Sequence, residues 1–190
     1  MELPVRLIAI LLVALAGSSF LGGCDRQKAD APQAPTQEVK AATGVDRSHK
    51  GQPAPTVQFK NPDGGDIDLG KFKGGPVLVN LWASWCAPCI KELPTLQTLE
   101  QSQTEDGKLG VIAISQDMAP QGSVEAFLAE RDIGRFAAFH DAEMKLTEEL
   151  GIQIMPTTIL YGSDGKEIWR FVGDLDWTGE QARALLAEAR

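Results

Sequence analysis

The chain has 190 residues, with 18 Lys and Arg against 26 Asp and Glu, a net charge of −8 and a pI near 4.8, so it lacks the basic footprint of a nucleic-acid binder. Its three cysteines, Cys24, Cys86 and Cys89, are too few for a disulfide-stapled scaffold, and they cannot make a zinc site with four cysteine ligands; His49 and His140 are the only histidines. The length suits one ordinary domain plus some extra sequence.

At the start, Arg6 precedes 17 uncharged residues, Leu7 to Gly23, that end in small side chains before Cys24. As a helix this run would span roughly 25 Å, short of a ~30 Å hydrocarbon core. A positive start, an apolar centre and small residues at the end describe a secretory signal over residues 1–23. The segment Leu21-Gly22-Gly23-Cys24 resembles the lipobox of bacterial lipoproteins, although Glu2 offsets the basic start. That resemblance implies lipid transfer to the Cys24 thiol and cleavage before it; the alternative is an uncleaved membrane helix. Both put the remainder outside the cytoplasm, tethered to a membrane. Residues 24–50 form the lipidated terminus and its tether. From residue 25 onward this stretch has no aromatic residue and, as β-branched aliphatics, only Val39 and Val45, too little to offset ordering entropy. Its flexible reach is roughly 25–30 Å. His49 is read as a solvated residue of the tether.

Residues 51–190 are the folded unit, with 12 Lys and Arg against 21 Asp and Glu, a net charge of −9. A turn at Pro62-Asp63-Gly64-Gly65 separates Val57–Lys60 from Asp66–Leu69, an N-terminal β-hairpin. Val77–Trp82 and Leu109–Ile114 are near-continuous apolar runs, the pattern of strands buried on both faces, and Thr157–Tyr161 is a third strand. Helical spacing predicts helices from Pro88 to about Gln103, from Ser123 to Arg131 and from Glu143 to Leu150. An edge strand is expected at Phe136–Phe139. Ser163-Asp164-Gly165-Lys166 turns Thr157–Tyr161 back into Glu167–Val172. Thr178 and Gln181 have the spacing of a capping box that opens a last helix to about Ala189. Alternating strands and helices followed by a hairpin predict an α/β fold, a central mixed sheet flanked by helices.

The chemistry sits at Trp82-Ala83-Ser84-Trp85-Cys86-Ala87-Pro88-Cys89, a CxxC where a strand meets a helix. Free backbone N–H groups and the positive end of the helix dipole favour the Cys86 thiolate, the species that attacks a disulfide. Cys89, one turn on, can resolve the mixed disulfide. Pro88 falls in the first turn, where its missing N–H does no harm. A static disulfide across two residues would stabilise little. A copper site of Cys86, Cys89 and His140 is a second reading, with His140 otherwise a surface residue or a cap. Trp85 is expected beside the site, partly exposed, and Trp82 in the core. Trp169, Trp177, Met118 and Met144 read as packing.

These residues, with Lys91-Glu92-Leu93-Pro94, Ile152-Gln153-Ile154-Met155-Pro156-Thr157-Thr158 and the Asp164-Gly165 turn, make residues 51–190 resemble the thioredoxin fold, specifically the extracytoplasmic TlpA/ResA-like thiol–disulfide oxidoreductases. The resemblance implies that Pro156 is a cis-proline beside the two sulfurs and that Met155 exposes backbone groups to an extended substrate. Pro94 should kink the helix. Thioredoxins carry a buried Asp six residues before the first cysteine; here Asn80 stands there, and the resemblance offers Glu92 instead as the group that tunes the thiols or takes the Cys89 proton, against a solvated first-turn glutamate. It also implies a disulfide reductase with no cofactor and no bound metal, a monomer. Its substrates would be proteins such as an apocytochrome c or copper-site assembly factors, and its electrons would come from a membrane thiol transporter. Asp25 after Cys24 points to the periplasmic face of the inner membrane in a two-membrane bacterium. A thiol peroxidase would share the fold, but the Thr and Pro pattern around a single peroxidatic cysteine is missing.

Overall fold

The computed structural model describes residues 43–106 and 109–189. The leader, Cys24 and most of the expected tether lie outside the described residues. The elements run in the order β1 (Gly44–Asp46), β2 (Phe59–Lys60), β3 (Asp66–Ile67), β4 (Val77–Trp82), α1 (Ala87–Asp106), β5 (Gly110–Ser115), α2 (Gln121–Ala129), β6 (Phe139–His140), α3 (Lys145–Glu149), β7 (Thr157–Tyr161), β8 (Glu167–Val172) and α4 (Glu180–Leu186). All eight strands join one mixed sheet in the order β1-β8-β7-β4-β5-β6-β2-β3. The central strand β4 runs parallel to β5 and antiparallel to β7.

All six residues of β4 are buried, because each face of the strand is covered. Leu78 and Trp82 pack with Leu93, Leu96 and Leu99 of α1, Val124 and Leu128 of α2, and Ala182 and Leu185 of α4. Val77, Val79 and Leu81 pack on the other face with Phe59, Leu69 and Leu146. Alternation along the strand sends successive side chains to opposite faces. It therefore turns Asn80 toward the α1 side, together with Leu78 and Trp82.

Three local expectations change. Folded structure starts before residue 51, because Gly44–Asp46 pairs antiparallel with Val172 to Arg170. The tether reading missed β1 because backbone pairing along a sheet edge, with Val45 packed on the core, holds it without an apolar run. The strand expected at an edge falls at Phe139–His140, after a short 3-10 turn over Arg135–Ala137, and is interior, because Lys60 of β2 pairs with His140 on the side away from β5. The capping box does not form: α4 starts after Gly179 with no side-chain cap, and the Thr178 hydroxyl donates to Asp176 instead, at 2.6 Å. Asp176 also accepts the Thr178 N–H, at 2.9 Å, and this local turn outcompetes the cap.

Sheet register sets the location of the site. Gly44 pairs with Val172, Val172 with Thr157, Thr157 with Leu81, and Leu81 with Ile114. These residues form one row across the sheet, at the end where β4 delivers the chain to Cys86 and where Pro156 leads into β7.

Candidate active site

After Trp82 the chain makes a tight turn, closed by the Cys86 N–H donating to the Ala83 carbonyl at 3.1 Å, and α1 begins at once. Cys86 occupies the cap position: its carbonyl accepts the first helical bond, from Ile90 at 3.1 Å. Its Sγ accepts the backbone N–H of Cys89 at 3.3 Å, the role a cap oxygen normally plays. That N–H and the helix dipole are the physical reason Cys86 can carry charge as a thiolate. Cys86 and Cys89 are joined by a disulfide, S–S 2.05 Å. Their exposures differ, 6% for Cys86 and 0% for Cys89, so an incoming disulfide meets Cys86 first. Pro88 is exposed in the first turn of the helix. Trp85 is 64% exposed, whereas Trp82 is buried and its indole N–H donates to the Ala137 carbonyl at 3.2 Å. The Met155–Pro156 bond is cis, and Met155 packs against the cluster that contains both cysteines. Pro94 lies inside α1.

Glu92 lies one turn beyond Cys89 and is buried, not solvated. Its Oε1 accepts from Asn80 Nδ2 at 2.7 Å. Its Oε2 accepts from the Leu175 N–H at 3.1 Å and the Trp177 indole N–H at 3.2 Å. Burial pushes its pKa up from 4.5 to about 7, against the three donors, which favour the charged form. Asn80 Nδ2 also donates to Thr158 Oγ1 at 2.9 Å, and Asn80 Oδ1 is buried without a partner. A proton on Oε1 would face the Asn80 amide N–H groups. Turning that amide over would satisfy it, because Oδ1 could then accept from both Glu92 and the Thr158 hydroxyl. A protonated Glu92 therefore calls for the opposite orientation of the Asn80 amide from the one observed, which suits the carboxylate. Next to it, Lys91 and Asp174 form an exposed ion pair at 2.9 Å, a second tie between α1 and the loop after β8.

His140 is buried, contrary to its expected place at the surface, and its ring Nε2 meets the Asp117 carbonyl at 2.7 Å. Its position on β6, with Ser115 as its strand partner, puts it inside the sheet. Among the described residues no group of three His, Cys, Asp or Glu side chains could hold a metal ion, so Cys86, Cys89 and His140 are not a ligand set. Met118, read as a gap-filler, is 83% exposed. His49, also placed in the tether, is half-exposed and 4.0 Å from Asp46.

Sequence reasoning missed the partners of Glu92. Trp177 read as packing, and its indole N–H is also a donor to a buried acid. Asp117 carried no motif. Its position just past the end of a strand adjacent to the cysteine strand is the signal, since functional groups collect at such ends in parallel sheets.

A Redoxin family model matches residues 49–186. The chain is 30% identical over 132 residues, 70% of its length and 75% of the relative's, to the thiol-disulfide oxidoreductase ResA of Bacillus thuringiensis subsp. konkukian (strain 97-27). Among solved structures, a thiol:disulfide interchange protein assigned as DsbE from Chlorobium tepidum superposes with a TM-score of 0.63 at 27% identity, covering 74% of this chain and 98% of that one. StoA from Bacillus subtilis has the same fold, with a TM-score of 0.57 at 24% identity, covering 73% and 100%. With a CxxC disulfide at the head of α1 and a cis-proline at the same end of the sheet, the chain belongs to the Redoxin family, as a TlpA/ResA-like thiol–disulfide oxidoreductase of the thioredoxin superfamily.

Proposed function

We propose that the enzyme is a membrane-tethered reductant of protein disulfides, working outside the cytoplasm. The Cys86 thiolate attacks one sulfur of a substrate disulfide, and the other sulfur leaves and takes up a proton. Cys89, deprotonated, then attacks Cys86 Sγ, which releases the second substrate thiol and leaves the Cys86–Cys89 disulfide. Two electrons and two protons have passed to the substrate. The disulfide pair, one sulfur at the surface and one behind it, is the observation that carries this cycle.

Glu92 is the group we assign to the proton of Cys89, or to tuning both thiols. It lies one turn from Cys89 in the same helix, it is buried, and its pKa of about 7 lets it change charge near neutrality. Met155 and Pro156 would border the substrate chain. Among the described residues no helix is long and apolar enough to cross a membrane. In this proposal lipid on Cys24 supplies the attachment, with the domain on the periplasmic face of the inner membrane. A membrane thiol transporter would return the electrons. An apocytochrome c or a copper-site assembly protein would suit as substrate, since each needs free thiols in an oxidising compartment.

The test is to express full-length Cys89→Ala in the source organism and isolate its mixed disulfides. The reading predicts covalent adducts of exported proteins that dithiothreitol releases and that Cys86→Ala lacks. A Cys86–Cys89 potential more negative than that of the substrate disulfide supports the reductant direction, and one near that of strong oxidants reverses it. Labelling with a radioactive fatty acid that disappears in Cys24→Ser tests the anchor.

A further inference from the structure

The parallel pairing of β4 and β5 ends at Trp82 and Ser115, and the Gln116 N–H adds one more bond, to the Trp82 carbonyl at 2.8 Å. Past that point a side chain takes over from the backbone. The Asp117 carboxylate accepts the Ser84 backbone N–H, at 3.0 Å to one oxygen and 3.2 Å to the other, and the Ser84 hydroxyl at 2.7 Å. The Ser115 hydroxyl donates to the same carboxylate at 2.7 Å. Asp117 thus braces the turn that the Cys86 N–H closes on the Ala83 carbonyl and from which α1 starts.

This carboxylate is 4% exposed, and its donors, one backbone N–H and two hydroxyls, are neutral. No ion pair among the described residues includes it. Neutral donors hold a charge in place without cancelling it, and a buried charge is screened less than one at the surface. Ser84 stands two residues before Cys86, so their Cα atoms are at most about 7 Å apart.

Cys86 is where a second negative charge develops. Its Sγ accepts the Cys89 N–H at 3.3 Å at the head of α1, where the helix dipole favours an anion. Reduction adds two electrons and one proton to the disulfide and leaves the Cys86 thiolate and the Cys89 thiol. The disulfide is neutral, whereas the reduced pair carries one negative charge. A fixed carboxylate nearby therefore leaves the oxidised form unaffected and works against the reduced one.

We infer that Asp117 is a positioning residue whose charge, held against the cysteine turn through Ser84, biases the Cys86–Cys89 pair toward giving up its electrons. This rests on the reductant reading and supplies a cause for it within the chain. The helix terminus makes the thiolate accessible, and Asp117 keeps it from becoming so stable that the pair turns into an oxidant. At a separation on the order of 10 Å and an effective dielectric constant of about 20, one unit charge changes the thiolate population roughly tenfold. The other titratable groups packed around this turn are Glu92, His140 and Asp141. Glu92 lies one turn beyond Cys89, His140 Nε2 meets the Asp117 carbonyl at 2.7 Å, and the Asp141 carboxylate accepts the Lys145 and Leu146 N–H groups. All three stay in place when only the Asp117 charge is removed.

The test reads Cys86 in the reduced full-length protein. Its rate of alkylation by iodoacetamide, followed at the Cys86 peptide by mass spectrometry across a pH series, gives the thiol titration. Equilibration with glutathione buffers at a pH above that titration gives the potential. Asp117→Asn removes the charge and keeps the brace, since its Oδ1 accepts the Ser84 N–H and its NH2 donates to the serine hydroxyls. The Cys86 titration should fall by about one pH unit, a tenfold change, and the potential should become about 30 mV more oxidising. Ser84→Ala keeps the charge and loses one hydroxyl contact, so both readings should stay near those of the wild type. Should urea unfolding show that Asp117→Asn does not fold, Asp117→Ser carries the same expectation. A Cys86 titration that is unmoved or higher in the uncharged variant, or an equal shift in Ser84→Ala, overturns the inference. A wild-type potential near that of strong oxidants strikes the reductant reading alone; the Asp117 assignment still stands or falls on the shift between wild type and variant.

Discussion

Replacing Glu92 with Gln removes the charge while keeping the shape of the side chain. The introduced amide oxygen can accept the Leu175 and Trp177 N–H groups, and its NH2 then faces Asn80. Turning the Asn80 amide over presents its unpartnered Oδ1 to that NH2 and to the Thr158 hydroxyl, so Glu92→Gln leaves no donor opposed to a donor. What changes is proton linkage. The folded protein holds the Glu92 proton with a pKa of about 7, against 4.5 for an ordinary glutamate. At about 1.4 kcal/mol per tenfold in proton affinity, the difference is about 3 kcal/mol. Because the native value is the higher one, this stabilisation is fully present below pH 4.5, is lost as pH rises toward 7, and changes no further above that. Urea unfolding of the oxidised full chain from pH 4 to pH 8 measures it. The stability of wild type minus that of Glu92→Gln should fall by about 3 kcal/mol across the series, at a slope near 1.4 kcal/mol per pH unit between the two pKa values. Other titrating groups are common to both proteins and cancel. A difference that stays flat with pH would refute the argument, because Glu92 would then have the same proton affinity folded and unfolded.

Trp177→Phe keeps a ring in the core but removes one donor from Glu92, so it should cost about 1–3 kcal/mol above pH 7 and move the Glu92 titration upward. Carbon-detected NMR of the Glu92 carboxyl would read this, and an unmoved midpoint would contradict it. Arg170→Met should destabilise by about 3–5 kcal/mol in urea, because Glu167, bonded to Arg170 twice at 2.8 Å, is left buried as a lone charge. A loss below about 1 kcal/mol would show that Glu167 finds other partners. Trp85 is exposed beside the disulfide, so dithiothreitol should change the tryptophan emission of the wild type and have little effect in Trp85→Phe.

What sequence alone could deliver follows from how each feature is encoded. The three central strands and the two long helices were legible, since several apolar residues at the right period commit each of them. β1 was not, and β6 was legible only to within a few residues and not as an interior strand, because two or three residues with ordinary side chains become strands only when a neighbour offers its backbone. The same division runs through the site. Cys86, Cys89 and Pro88 lie within four residues of each other, and local spacing exposes them. Asn80, Glu92 and Trp177 are brought together across 12 and 85 positions by the sheet and the loop after β8, and no local pattern records that meeting. Asp117 and Ser84, 33 positions apart, became partners through strand register alone.

The row of residues Gly44, Val172, Thr157 and Leu81 also has a consequence for reach. β1 begins at the very end of the sheet that presents the cysteines, so the chain preceding Gly44 enters the domain on the reactive side. Any group attached just ahead of Gly44 therefore meets the domain at that end of the sheet, the end that β8 reaches at Val172, and not at the end where β8 begins at Glu167.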